Sequence, residues 1–344
     1  MIFHQIRSGN CLSYLIGCEE TRTAIVVDPE SSQIDRYLSL ASRDGLLIHF
    51  VFDTHTHADH FSGSKQLATH IGARVIMHRA AAAPFIDMPV DDGETLIVGK
   101  LRARVMHTPG HTSDSTCMVF GDRILTGDTL LIGGTGRTDL PSGDPYQLYD
   151  SLFHGILLLE PALEVFPAHD YKGRTNSTLR DEIENNPRLQ SRDRNTFVEQ
   201  MRAQDLGMPV HLTEALRVNR SGGKSVASLI ADASGRIAFM AMEEVLRLGD
   251  AHDSDIVVLD VREHEAYRAG HIPGAINIPR GQLELRVDDL LPDPTRRIVA
   301  CCEYGKISTL AAATLKDMGF GRAVALDGGI QAWKRAGYPF VCGP

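Results

Sequence analysis

Thr54-His55-Thr56-His57-Ala58-Asp59-His60 places three histidines and an aspartate within six residues, directly after the apolar run Ile48-His49-Phe50-Val51-Phe52. A strand that ends in a turn aims several side chains at one point, which is what a metal ion needs. Working outward, Leu12 to Ile16, Thr23 to Val27, Arg74 to Met77 and Leu101 to Met106 also read as short strands. Met118 to Leu125 reads as a hairpin turning at Gly121-Asp122. Ser31 or Ser32 is expected to cap a helix that carries Ile34, Leu38 and Ala41 inward and closes at Gly45. Tyr146 to Leu159 and Ser191 to Leu206 are further helix candidates. Strand-rich stretches broken by helices predict a sheet-on-sheet core with helices packed outside.

The chain has 344 residues, enough for two domains with ordinary cores. Its 43% hydrophobic and 23% charged residues fit a globular protein, and no apolar run is long enough to cross a bilayer. Met1-Ile2-Phe3-His4-Gln5-Ile6 has neither the basic start and apolar core of a signal peptide nor the character of a transit peptide, so a cytoplasmic location is expected. A formal net charge of -9 makes nucleic acid and anionic membrane poor partners, because both call for a basic face. Of Cys11, Cys18, Cys117, Cys301, Cys302 and Cys342, most read as small buried hydrophobes in a reducing compartment. Only Cys302 has a local context that suggests reactivity.

Turn-rich strings, Ser221-Gly222-Gly223-Lys224-Ser225 and Asp232-Ala233-Ser234-Gly235, put a boundary between about Arg220 and Gly235. Beyond it, helix Glu243 to Leu248, strand Ile256 to Leu259, strand Ile298 to Ala300, helix Ser308 to Met318 and strand Ala323 to Leu326 alternate as in a parallel α/β sheet. The expected domains are therefore 1–235 and 238–344.

Three downstream segments join the histidine run: Thr108-Pro109-Gly110-His111-Thr112, Leu125-Thr126-Gly127-Asp128-Thr129 and Phe166-Pro167-Ala168-His169-Asp170. Each sets an imidazole or carboxylate just past an apolar strand. Over roughly residues 1 to 220 this arrangement resembles the metallo-β-lactamase superfamily, which implies an αββα sandwich. So dense a cluster is not explained as filler, whereas His4, His49, His70, His78, His154, His211 and His252 read as surface or core residues. The ligand set leaves two readings open. His55, His57 and His111 on one side, Asp59, His60 and His169 on the other, with Asp128 bridging, could hold two zinc ions and activate hydroxide. Alternatively His55, His111 and Asp128 form a two-histidine, one-carboxylate face on a single Fe(II).

Further strings, Gly134-Thr135-Gly136-Arg137-Thr138-Asp139, Pro167 to Thr175 and Asn185-Asn186-Pro187-Arg188-Leu189, are similar to those of the persulfide dioxygenases, the ethylmalonic-encephalopathy-type branch of that superfamily. The resemblance implies one Fe(2+) per chain held by His55, His111 and Asp128, with His57, Asp59, His60 and His169 orienting the ligands and bound water. It implies oxidation of glutathione persulfide with O2 and water to glutathione and sulfite. Many family members carry Cys where Thr135 stands, but no ligand is lost. Glutathione bears two carboxylates and an ammonium, so Arg137, Lys172 and Arg174, with Tyr171 and Asp139, are candidates to meet it. Arg137 and Asp139 could equally pair with each other to hold their loop.

In the second half, Leu259-Asp260-Val261-Arg262-Glu263, His271 to Pro279, Cys302-Glu303-Tyr304-Gly305-Lys306-Ile307-Ser308 and Leu326 to Trp333 resemble, in this order, a single-domain rhodanese, a sulfurtransferase. Strand, cysteine, glycine-bearing loop and helix suit an activated thiol, because successive backbone N–H groups and a helix N-terminus stabilise a thiolate or persulfide. Cys302 would carry sulfur, and Cys301 and Trp333 would face the core. Rhodanese loops usually carry Arg where Ile307 stands and a neutral or basic residue where Glu303 stands, which lowers the expected affinity for dianionic thiosulfate. The combined expectation is a bifunctional sulfur enzyme that also moves sulfane sulfur between thiosulfate and glutathione, with thiosulfate or sulfite among its small-molecule partners and a homo-oligomer among its expected forms. Its rival is a dinuclear zinc thioester hydrolase of the glyoxalase II type with a sulfur-binding rhodanese module.

Overall fold

The alternating apolar stretches of the first half form two six-stranded sheets. A computed structural model describes residues 1–204, 206–250 and 255–343, so His252 lies outside the described residues. The first sheet runs Ile2–Ser8, Cys11–Gly17, Thr23–Val27, Leu47–Phe52, Arg74–His78, Met88–Val90 in spatial order. The second runs Ser177–Thr178, Glu164–Pro167, Arg123–Gly127, Thr116–Val119, Leu101–His107, Thr95–Val98. Leu12, Tyr14, Ile16, Ile25, Val27 and Phe52 of the first meet Ala103, Val105, Met118, Leu125 and Phe166 of the second in one buried layer. Opposite faces of both sheets are covered by helices. Tyr37 and Ala41 pack beneath the first sheet with Val26 and Val51, and Leu148, Leu152 and Phe197 beneath the second with Ile124 and Val165. This is the expected αββα sandwich.

Several local expectations need correction. The first helix, Ile34–Arg43, has no serine cap and is entered through a 3-10 turn, Ser31–Gln33. It fully buries Tyr37 beside Ile34 and Ala41 while Leu38 packs half-buried on the same core, and the Tyr37 hydroxyl finds Ser13 Oγ at 2.9 Å and accepts from the Glu30 amide. The helix expected over 146–159 ends at Phe153, and Gly155, outside helical torsions, leads into a 3-10 turn. The one expected over 191–206 is Arg194–Arg202, capped by Asp193. Ser64–Ile71, Leu179–Asn185 and Leu212–Ser221 are helices that periodicity did not reveal.

The compact units divide after Gly223. Only Gly222, with φ of +65°, turns the chain there. Ser225 then caps a helix, Val226–Arg236, that packs on helix Lys306–Asp317, so this stretch read as turn-rich belongs to the second unit. That unit is a five-stranded sheet in the order Phe239–Met240, Val324–Leu326, Arg297–Cys301, Ile256–Asp260, Ile276–Asn277, every pairing parallel. Helices cover both faces, with Leu283, Val287, Ala312 and Leu315 on one and Val245, Ile330 and Trp333 on the other. Among the described residues, no helix is long and apolar enough to cross a membrane.

Candidate metal centre and cysteine loop

The histidine run leaves strand Leu47–Phe52 at the rim of the sandwich, and the three later segments leave their strands at the same rim. His55, His111 and Asp128, all buried, bring one donor atom each to within 4.8 Å of one another. His55 Nε2 lies 4.0 Å and His111 Nε2 3.6 Å from Asp128 Oδ2. Donors about 2.1 Å from a shared ion lie no more than about 4.2 Å apart, so both distances suit one cation.

The second layer of contacts decides which nitrogen faces the centre. His111 Nδ1 sits 2.8 Å from the Arg137 carbonyl, which can only accept, so Nδ1 carries the proton and the Nε2 lone pair is left for the centre. Thr54 Oγ1 donates to Asp28 Oδ2 at 3.0 Å and accepts from His55 Nδ1 at 2.9 Å, which sets the same tautomer on His55. Burial, then the neighbouring His57, push His55 down to about 3, so its ring is neutral. Burial pushes the Asp128 carboxyl up, but His169, His111 and His55 more than reverse this and hold it ionised. Two imidazoles whose Nδ1 atoms are held by other groups, leaving Nε2 toward the centre, and one carboxylate are the donor set a metal requires, so the residues fit the group.

His169 orients Asp128. Its Nδ1 lies 2.8 and 2.9 Å from the two Asp128 oxygens, and its Nε2 lies 2.9 Å from Asp59 Oδ2. Burial lowers the His169 pKa, but the two carboxylates raise it well above the ordinary range. Asp59 Oδ1 meets His60 Nδ1 at 3.0 Å. His57 stands slightly apart: its Nε2 donates to Asp28 Oδ1 at 3.2 Å, and its Nδ1 is buried without a hydrogen-bond partner among the described residues.

Sequence reasoning missed four supports. Asp28, at the end of strand Thr23–Val27 and with φ of +50°, also accepts from the Thr54 amide at 2.7 Å. Asp114 accepts from both the amide and hydroxyl of Thr56. Asn219 donates to the carbonyls of His57 and His60, tying the helix Leu212–Ser221 to the histidine turn. Cys11 lies beside His169, with Sγ 3.4 Å from Nε2. Burial raises this thiol, yet the hydrogen bonds to His169 and His60 bring it down to about 7. A lone polar residue after an apolar strand signalled Asp28; nothing local signalled the other three.

The expected glutathione contacts are brought only partly to this rim. Arg137 spends its guanidinium on Asp139, at 2.6 and 2.7 Å, and on the carbonyls of Leu206 and Gly207. Arg174 donates to Asp170 and to the Ile132 carbonyl. Both therefore hold their own loops. Tyr171 is 65% exposed and lies parallel to His169, with 6.2 Å between ring centroids. Lys172 is exposed beside it. Thr135 Oγ1 meets Met201 Sδ.

In the second unit, Cys302 follows strand Arg297–Cys301 and is 2% exposed, at the floor of its loop. Helix Lys306–Asp317 starts two residues earlier than expected, because Gly305 adopts φ of +87° and turns the chain into it. The Ser308 amide donates to Cys302 Sγ at 3.2 Å, and Ser308 Oγ lies 3.3 Å away. Glu303 does not confront the thiol freely: Arg262 Nη1 donates to it at 3.0 Å and Gln331 also donates. Arg262 in turn is anchored by buried Asp260 through Nε at 3.0 Å and Nη2 at 2.7 Å. Tyr304, 71% exposed, and Ile307 face solvent. Cys301 and Trp333 are buried in the core.

Comparison with known proteins matches residues 6–169 to the metallo-beta-lactamase superfamily and residues 242–336 to the rhodanese-like domain. The mitochondrial persulfide dioxygenase ETHE1 of Bos taurus is 34% identical over 214 residues, covering 61% of this chain and 84% of the bovine protein. The chain belongs to the persulfide dioxygenase family. The crystal structure of ETHE1 from Myxococcus xanthus is 39% identical with a TM-score of 0.64, covering 65% of this chain and all of that one. Beyond the persulfide dioxygenase part, a Staphylococcus aureus metallo-beta-lactamase structure, 23% identical with a TM-score of 0.62, shares the fold over 95% of this chain and 97% of that one. The chain is thus a metal-binding enzyme of the persulfide dioxygenase family carrying a rhodanese domain.

Proposed function

We propose that this chain oxidises glutathione persulfide with O2 and water to glutathione and sulfite at one Fe(2+), and moves sulfane sulfur between thiosulfate and glutathione through Cys302. The observation that carries the first activity is the convergence of the His55 and His111 Nε2 lone pairs on Asp128, with His169 clamping the carboxylate. Ferrous iron held by these three residues would leave coordination positions for a persulfide sulfur and O2, chemistry that zinc cannot supply. Thr54 and Asp28 orient His55, the Arg137 carbonyl orients His111, and Asp59 steadies His169. Tyr171 and Lys172, at the rim, meet the carboxylates of glutathione. His57 and His60 line the ligand turn without binding iron.

For sulfur transfer, the Cys302 thiolate attacks the sulfane sulfur of thiosulfate; the new S–S bond forms as the old one breaks and sulfite departs. The persulfide left on Cys302 is held by the Ser308 amide at the helix start, and a glutathione thiolate then takes its outer sulfur. Residues 1–223 would house the oxidation and the second unit the transfer, in the cytoplasm.

A second reading is favoured by one observation. The buried Nδ1 of His57, without a hydrogen-bond partner among the described residues, costs about 1–3 kcal/mol unless something takes its lone pair, and a zinc shared with His55 and His111 would take it. That reading makes the first unit a dinuclear zinc thioester hydrolase. Anaerobic purification, metal quantification and oxygen uptake with glutathione persulfide separate the two: stoichiometric iron with uptake supports the dioxygenase, and two zinc ions with thioester cleavage overturn it.

A further inference from the structure

Glu303 stands directly after the sulfur-carrying Cys302, where a carboxylate repels an incoming anion and the persulfide alike. The fold nevertheless fixes it in place. The Cys302 and Glu303 carbonyls accept from the Ile330 amide at 2.9 Å and the Gln331 amide at 3.1 Å, which pins the loop to the start of helix Gly329–Arg335. Arg262 Nη1 donates to Glu303 Oε2 at 3.0 Å, and Gln331 Nε2 donates to Oε1. Arg262 does not cancel the charge, because its Nε and Nη2 already serve the buried Asp260, so two carboxylates share one guanidinium. Lys334 Nζ lies over the Phe340 ring, 4.2 Å from its centroid. Burial raises the Glu303 carboxyl, but the bonds from Gln331 and Arg262 more than reverse this and keep it ionised. A carboxylate accepts about four hydrogen bonds, and Arg262 and Gln331 fill one on each oxygen. With the side chain 36% exposed, the remaining lone pairs are open to solvent. Tyr304 and Ile307, exposed on the same loop, add apolar surface that an organic thiol covers and a small oxyanion does not.

We propose that Glu303 selects the sulfur acceptor, binding the ammonium of a γ-glutamyl aminothiol while that molecule's thiolate attacks the persulfide on Cys302. The inference rests on the sulfur transfer proposed above and names what recognises its acceptor. An ammonium brings three N–H donors and one positive charge, which answers both the open lone pairs and the surplus negative charge. The reach is adequate. Covalent geometry keeps the carboxylate of a neighbouring glutamate within about 12 Å of the thiol, and the bonds from thiol to ammonium in an extended γ-glutamyl thiol span roughly 10 Å, to which the transferred sulfur adds about 2 Å. In the step, the acceptor RS⁻ attacks the outer sulfur of Cys302–S–SH, a new R–S–SH bond forms, and the bond to Cys302 breaks. The electron pair stays on the Cys302 thiolate, which the Ser308 amide holds at 3.2 Å. One S–S bond replaces another, so no oxidant is consumed. The same carboxylate opposes dianionic thiosulfate, so the loop favours the acceptor at the expense of the donor.

The test loads full-length protein on Cys302 with thiosulfate under anaerobic conditions, removes the donor, and follows discharge by peptide mass spectrometry. The acceptors are glutathione and glutaryl-cysteinylglycine, which lacks only the ammonium and keeps the same thiol. Wild type is expected to discharge to glutathione about tenfold faster than to the analogue, the effect of one charge-assisted hydrogen bond. Glu303→Gln is expected to bring the two rates within about twofold, and Glu303→Asp, which keeps the charge, to retain most of the preference. Loading of Glu303→Gln by thiosulfate should be at least as fast as in wild type, which also shows that its loop is formed. Equal rates for the two acceptors in wild type overturn the proposal without recourse to any variant. A preference that survives in Glu303→Gln, or a variant that slows both acceptors equally, also overturns it, since Glu303 would then only brace the loop. If wild-type Cys302 gains no sulfur from thiosulfate, the transfer reading itself fails and this inference with it; loading without acceptor preference leaves that reading standing and removes only the role of Glu303.

Discussion

Arg262→Ala isolates what holds the cysteine loop. Asp260 is fully buried and receives Arg262 Nε at 3.0 and 3.1 Å and Nη2 at 2.7 Å, while Arg262 Nη1 restrains Glu303 at 3.0 Å. The substitution leaves Asp260 with the Arg262 backbone amide, at 3.0 Å, and with no guanidinium. Removing one partner of a buried pair costs about 3–5 kcal/mol, because the other charge stays uncompensated in a medium that solvates it poorly. With a urea m-value of roughly 2 kcal/mol/M, the unfolding midpoint falls by about 1.5–2.5 M. The chain's single tryptophan, Trp333, is 1% exposed in the second unit, so its fluorescence reports that unit alone. Asp260→Asn combined with Arg262→Ala removes the stranded charge and is expected to recover about 1–3 kcal/mol of the loss. In the single variant Glu303 also loses its cation, and thiosulfate turnover is expected to fall by about tenfold, the effect of roughly 1.4 kcal/mol of repulsion toward a dianion. A midpoint within about 0.5 M of wild type would refute the reasoning, since the pair would then contribute no more than a surface ion pair.

Three other outcomes follow from the geometry. Asp128→Ala removes the carboxylate on which both imidazoles converge, and metal analysis should find the ion lost while thiosulfate sulfurtransfer persists, because the two units have separate cores. His169→Gln releases the clamp on Asp128 and is expected to weaken metal affinity by about 10–100-fold in a competition titration, with unchanged circular dichroism. Gly329→Ala places a Cβ 2.6 Å from the Cys302 carbonyl and 2.7 Å from the Gly305 amide nitrogen, at a φ of +66°. Sulfur loading of Cys302 should be lost in that variant, and retention at the wild-type rate would show that the loop tolerates displacement.

Much of the site was readable because it is local. The spacing of His55, His57, Asp59 and His60 after an apolar strand depends on one turn, and Cys302 with its glycine-bearing loop depends on another. The sandwich and the parallel sheet were readable because period-two apolar runs and strand-helix alternation respond to burial. Helices with broader or shorter apolar patterns were not: Ser64–Ile71 offers one turn of buried side chains, and the end of Val226–Arg236 reads as a turn because Asp232, Ser234 and Gly235 fall together there. Arg137 and Arg174 looked available for an anionic ligand in sequence, yet carbonyls of Ile132, Leu206 and Gly207, distant along the chain, occupy them.

Residue types and local spacing determined that this chain would offer imidazoles and a carboxylate at one rim and a thiol at the start of a helix. Which atom of each faces inward was decided by tertiary structure. The Nε2 lone pairs of His55 and His111 are free because Asp28, through Thr54, and the Arg137 carbonyl hold the opposite nitrogens. Cys11 reaches His169 across 158 positions through two backbone hydrogen bonds. Hydrogen bonds of that separation leave no periodic trace in a sequence, because they depend on the closing of the sheets around a shared core.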